Sequence, residues 1–147
     1  MSHVEVKYTG DMQFVATPPT GHSVVIDSSP EVGGKNSGVR PMDLTLMALG
    51  GCTGIDVVSI LKKMRVSIDN FVMDMDAQRA SEHPKVYTKI VLNYRFTTPD
   101  DVQEKISRAV HLSQEKYCSV SQMLAKSAEI EARIFINGEL REVLNHG

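Results

Sequence analysis

Residues 41–64, PMDLTLMALGGCTGIDVVSILKKM, decide the fold class. Pro41 stands where a first-turn proline is tolerated, and Asp43 suits the positive end of a helix dipole. The stretch therefore predicts a helix running to about Met64. Its apolar residues (Leu44, Leu46, Met47, Leu49, Ile55, Val57, Val58, Ile60 and Leu61) do not keep to one stripe, and a helix apolar on most sides is buried on most sides. Gly50 and Gly51 at its middle cost roughly 1 kcal/mol each against alanine. That cost is tolerated where something approaches the backbone closely, and two copies of the helix crossing at a dimer interface would supply it.

Upstream, Val4, Val6 and Tyr8 alternate with polar residues, Gly10-Asp11 makes a turn, and Met12, Phe14 and Ala16 alternate again. With a third strand at Ser23 to Ile26 this predicts a meander. Residues 28–40 are a loop of a length that is usually functional or mobile in a compact domain. Downstream, residues 68–77 and 85–96 alternate around the turn at Ser81 to Pro84, a second hairpin whose inner face holds Val86, Ile90, Leu92, Tyr94 and Phe96. Thr97-Thr98-Pro99-Asp100-Asp101 reads as a helix start. Val102, Ile106, Ala109, Val110 and Ser113 mark that helix's inner face, with its end near Tyr117. A short helix over about Ser119–Ala125 follows. Residues 129–136 then alternate into Asn137-Gly138, a two-residue hairpin signal, and Glu139 to Val143 returns. The order β-β-β-α-β-β-α-α-β-β, with hairpins rather than crossovers, predicts an α+β fold with antiparallel sheet.

The 147 residues fit one domain, 1–147, able to bury a core, and 41% hydrophobic with 23% charged residues is ordinary globular composition. A formal net charge of -2 without a basic cluster argues against a nucleic-acid partner. The N-terminus lacks the apolar run of a signal peptide, and no stretch approaches the roughly 18 apolar residues of a membrane span. The expected location is the cytoplasm. The two cysteines, Cys52 and Cys118, are too far apart for a C-x-x-C or zinc-ribbon motif. In a reducing compartment they are not a permanent staple. They are either reactive or two buried small hydrophobes. None of the five histidines pairs at metal-ligand spacing, so no metal site is read, and no cofactor loop is present. Met42, Met47, Met64, Met73 and Met75 suit core and interface packing, or an apolar pocket.

Two motifs carry a resemblance. Residues 40–53, RPMDLTLMALGGCT, resemble the central helix of the OsmC/Ohr family, in which a proline-acidic-leucine start leads to a small-residue step and a cysteine. Residues 117–124, YCSVSQML, look like that family's second cysteine motif before a short helix, although Ser119 stands where the family usually has proline. The element order matches along nearly the whole chain. The resemblance implies an intertwined homodimer, with antiparallel sheets wrapped around the two central helices. It also implies reduction of organic hydroperoxides by a cysteine pair that a dithiol regenerates.

On this resemblance Cys52 is the peroxidatic residue and Cys118 the resolving one. The chemistry needs a thiolate that becomes a sulfenic acid and then a disulfide. At the entrance of a short helix, Cys118 would gain thiolate character from the amide dipoles. Asp43 takes the place of a family glutamate. Nine residues from Cys52 it lies about 13.5 Å away along the helix and half a turn out of phase, so any cooperation must come from the partner chain across a two-fold axis. Arg40, the only arginine before Arg65, does not hold the family's upstream arginine position but could reach a partner's cysteine beside Asp43. Two other functions stay open: a dimer that binds a small apolar or electrophilic metabolite with incidental thiols, and a redox sensor that is oxidised once without turnover.

Overall fold

The structure, a computed structural model, describes residues 1–146. It divides into two compact units, Met1–Met47 and Ala48–Gly147.

In the first unit β1 (Glu5–Gly10), β2 (Gln13–Thr17) and β3 (Val24–Ile26) form the expected antiparallel meander. Gly10 and Asp11 turn it with positive φ values of 116° and 50°. The loop after β3 is tied down by Asp27. Its carboxylate accepts from the Ser28, Lys35 and Ser37 amides at 2.7, 3.1 and 3.0 Å and from the Ser37 hydroxyl at 2.6 Å. These donors, the Ser37 hydroxyl foremost, hold the Asp27 carboxyl far below the usual carboxylate range. Val39 returns to bridge Ile26. Asp27 is the one fully buried residue of this unit among the described residues, while Val4, Val6 and Tyr8 are all more than half exposed. The meander therefore has no apolar core of its own.

Helix α1 (Pro41–Lys63) starts in the first unit and runs unbroken through the second. By length and composition it could cross a membrane, contrary to the reading of its interruptions in the sequence. Its Leu49, Thr53, Val57 and Leu61, however, are buried one turn apart as the inner stripe of a core helix. The opposite side is exposed at Gly51 and Ile55, so burial on most sides does not hold within one chain.

The second sheet runs in the order β4 (Asn70–Arg79), β5 (Tyr87–Thr97), β6 (Glu129–Ile136), β7 (Glu139–His146). Three features differ from expectation. First, β5 and β6 pair in parallel, with Ile90, Leu92, Tyr94 and Phe96 opposite Ile130, Ala132, Ile134 and Ile136. The helices between them carry the chain back to where β5 began, which makes that connection a crossover. Aligned this way, all eight side chains enter the core together. Second, a register shift at Gln78/Arg79 turns Tyr87 inward and leaves Val86 exposed. Third, α2 begins at Gln103 without a side-chain cap. Thr98, just past the end of β5, is instead held by the side chain of Asn137, which meets its amide and carbonyl at 3.0 and 2.8 Å, and its hydroxyl accepts from the Asp100 amide at 3.3 Å, ahead of the helix. Asn137 and Gly138 have φ values of 50° and 83°, the turn their dipeptide specifies.

Helix α2 (Gln103–Leu112) buries Ile106, Ala109 and Val110 as its periodicity requires, then widens into a π turn over Ser113–Tyr117 before α3 (Ser119–Leu124). Such π turns frequently mark functional sites. This one brings Ser113 and Gln114, both fully buried, against α1 and β5.

Candidate functional site

Cys52 and Asp56 lie four residues apart on α1, hence on one face and one turn from each other. Cys118 is the N-cap of α3; its amide donates to Ser113 O at 2.8 Å and its sulfur accepts from the Ser121 amide at 3.3 Å. The two Sγ atoms and one carboxylate oxygen of Asp56 all lie within 4.8 Å of one another. Cys52 and Asp56 are half-buried, and Cys118 is fully buried. Both thiols are free.

Behind this triplet runs a buried chain of hydroxyls. Ser113 Oγ donates to Asp56 Oδ2 at 3.0 Å, which uses its only proton. The 2.9 Å contact from Thr53 to Ser113 must then be donated by Thr53. By the same count Tyr94 donates to Thr53 at 2.7 Å, and Gln114 Nε2 donates to the Tyr94 oxygen. Ser121 Oγ closes the chain on Gln114 Oε1 at 2.7 Å. One carboxylate thus orients every hydroxyl between Tyr94 and itself. Burial pushes the Tyr94 phenol up to about 12, and the Asp56 carboxylate adds to the rise, so it remains a neutral donor.

Burial also raises the Cys118 thiol well above an ordinary cysteine, and the neighbouring Cys52 and Asp56 add to the rise. The Ser121 amide opposes the shift and is outweighed. The expectation that the helix entrance makes Cys118 a ready thiolate is thereby corrected: desolvation exceeds the gain from one amide.

The other expected site residues fall elsewhere. Arg40 directs its guanidinium to Asn36 Oδ1 at 2.7 Å and Gly38 O at 3.3 Å. Asp43 is exposed in the first turn of α1. The close approach expected at Gly50 comes from the chain's own β4, since a Cβ there would meet Met75 Cε at 2.9 Å, while Gly51 faces open space. Gly50, Gly51, Gly54, Ile55, Phe71 and Met73 line a groove of about 670 Å³ along this side of α1.

Asp56, Thr53, Ser113 and Gln114 escaped the sequence reading as site residues. The Cys52–Asp56 spacing was the available signal, because four residues on a helix superpose a thiol and a carboxylate.

Comparison with known proteins places the chain among relatives. The family model described as OsmC-like protein matches residues 34–133. Protein YhfA of Escherichia coli K12 is 38% identical over 128 residues, 85% of this chain and 90% of that one. A hypothetical protein of Aquifex aeolicus superposes with a TM-score of 0.82 at 29% identity, covering 95% of this chain and 98% of its own. An organic hydroperoxide resistance protein OsmC of Legionella pneumophila shares the fold at a TM-score of 0.69 and 13% identity, covering 92% of this chain and 96% of that one.

Proposed function

The chain belongs to the OsmC-like protein family, and from that premise we propose that it is a thiol peroxidase acting on organic hydroperoxides. The observation that carries the proposal is the grouping of two free thiols and a carboxylate within 4.8 Å, with one thiol reachable and the other buried. In this reading the Cys52 thiolate attacks the outer oxygen of the hydroperoxide. The O–O bond breaks, the alcohol leaves with a proton, and Cys52 becomes a sulfenic acid. The Cys118 sulfur then attacks the Cys52 sulfur. The hydroxyl leaves as water with the Cys118 proton, and the disulfide forms. A dithiol reductant restores both thiols. Asp56, with a carboxylate oxygen within 4.8 Å of both sulfurs, would carry the Cys118 proton, which burial otherwise holds on the sulfur.

Arg40 and Asp43 enter the same proposal through a homodimer. Across a two-fold axis they would face the partner's thiol and supply the positive charge that the Cys52–Asp56–Cys118 group lacks. The uncovered Val4, Val6 and Tyr8 and the groove beside Gly51 are the apolar surfaces such a partner would bury. A cytoplasmic location, where thiols stay reduced, belongs to this reading as well.

The groove also supports a second reading, binding of a small apolar ligand without chemistry. One equivalent of cumene hydroperoxide added to reduced protein separates the two. Peroxidase action consumes two thiols per chain within seconds, with a two-proton mass loss. It also turns over with dithiol, and turnover vanishes in Cys52→Ser. In Cys118→Ser the sulfenic acid accumulates and reacts with a sulfenate trap. Two thiols still free after minutes would refute the peroxidase and leave the ligand-binding protein.

A further inference from the structure

We propose that the reduced site is also a binding site for a thiophilic divalent cation of the zinc class, held by Cys52 Sγ, Cys118 Sγ and a carboxylate oxygen of Asp56. A fourth position remains for water or a small thiol. The proposal uses the same three residues as the peroxidase reading but stands independently of whether they react with peroxide.

The ligand set fits in kind and in size. Two thiolates and a carboxylate are donors that zinc accepts and that magnesium or calcium does not favour. Tetrahedral zinc holds sulfur at about 2.3 Å and carboxylate oxygen at about 2.0–2.2 Å, so neighbouring donors stand roughly 3.5–3.8 Å apart. The three atoms already lie within 4.8 Å of one another. Closing onto an ion therefore asks for about 1 Å of contraction, within reach of side-chain rotation on a fixed backbone.

The supporting shell is in place as well. Metal ligands are oriented by hydrogen bonds from behind. Here the Ser121 amide donates to Cys118 Sγ at 3.3 Å and Ser113 Oγ donates to Asp56 Oδ2 at 3.0 Å. Ser113 is itself held by Thr53, and Thr53 by Tyr94. Cys52 and Asp56 are fixed one turn apart on α1, and Cys118 is fixed at the cap of α3. The half-buried Cys52–Asp56 side gives solvent access to a pocket whose far wall, Cys118, is dry.

Charge argues the same way. Among the described residues no lysine, arginine or histidine forms an ion pair with Asp56. Deprotonating both thiols beside this carboxylate would gather three negative charges in a half-buried site. A divalent cation is the counter-charge that permits it. Binding then exchanges two thiol protons for the metal: two S–H bonds break, two metal–sulfur bonds form, and two protons leave to solvent. Because disulfide formation uses the same two sulfurs, metal binding and oxidation exclude each other, and the cation would shield the pair from peroxide.

The test needs no peroxide. Reduced, metal-free protein is titrated with Co²⁺ as the optical probe, followed by displacement with Zn²⁺ and by proton release in weak buffer. The expected result is one Co²⁺ per chain with a thiolate-to-cobalt charge-transfer band, two protons released, and full displacement by Zn²⁺. Cys52→Ser should abolish the two-thiolate spectrum. Asp56→Asn should keep the band and weaken binding at least tenfold, with far-UV circular dichroism matching the parent in both variants. Absence of the thiolate band at saturating Co²⁺ overturns the proposal. So does binding whose strength and spectrum are unchanged in both variants, which would place the metal elsewhere.

Discussion

Replacing Thr53 by valine tests whether the buried hydroxyl chain is a structural unit. The two side chains are nearly isosteric, so no cavity forms, and Thr53 is wholly buried, so water cannot replace what is lost. Its oxygen meets Tyr94 at 2.7 Å, Ser113 at 2.9 Å and Gln114 at 3.3 Å. In the variant Gln114 still donates to Tyr94 and Ser113 still donates to Asp56, but the Tyr94 proton has no acceptor. One orphaned buried donor costs about 1–3 kcal/mol. The expected loss is about 2 kcal/mol, a fall in Tm of about 4–8 °C for a chain of this size. Urea unfolding of parent, Thr53→Val, Tyr94→Phe and the double variant should show an unchanged m-value. Thr53 and Tyr94 should couple by more than about 0.5 kcal/mol. A single-variant loss below about 0.5 kcal/mol, or strictly additive costs, would refute the directional chain as described.

Two further perturbations probe other parts of the molecule. Gly51→Ala adds a methyl group into open space on an exposed helix face and should stabilise an isolated chain by about 0.5–1 kcal/mol. If the proposed partner helix packs there, sedimentation should instead show the dimer dissociating at lower dilution than the parent; a dimer of unaltered affinity would move the interface away from Gly51. His111 bonds Glu142 at 2.6 Å and Glu115 at 3.2 Å. Partial burial lowers its affinity for a proton, but the two carboxylates outweigh that and raise it above the ordinary histidine value. Its stabilising effect is therefore complete below pH about 6.5 and is lost as the pH rises through the elevated folded value. Unfolding midpoints of the parent should decline across that window, and His111→Gln should flatten the decline; an NMR titration of His111 at or below the free value would contradict the sign.

Much of this molecule was legible from local pattern. Alternation in residues 4–16 and 129–136, the Asn137-Gly138 turn and the inner face of α2 all rest on neighbours in sequence, where side-chain period and backbone preference act directly. Cys52 and Cys118 were legible as candidate residues because two separate motifs each carried one, and the fold brings the two sulfurs together. What stayed hidden was decided at a distance. The parallel pairing of β5 with β6 depends on where α2 and α3 return the chain, and no period in either strand records it. Thr98 reads as part of a helix start, yet it is anchored beyond the end of β5 because Asn137, far along the chain, satisfies its amide and carbonyl. Asp56 read as an interruption of an apolar run. It became a candidate site residue once folding set Cys118 and Ser113 beside it. The sequence by itself determined most of the elements, since propensity and periodicity act over a few residues, and its two motifs marked the two cysteines as candidates. Tertiary structure alone decided that the sulfurs share a carboxylate and that burial holds the proton on Cys118, because proximity and desolvation exist only after distant segments have packed.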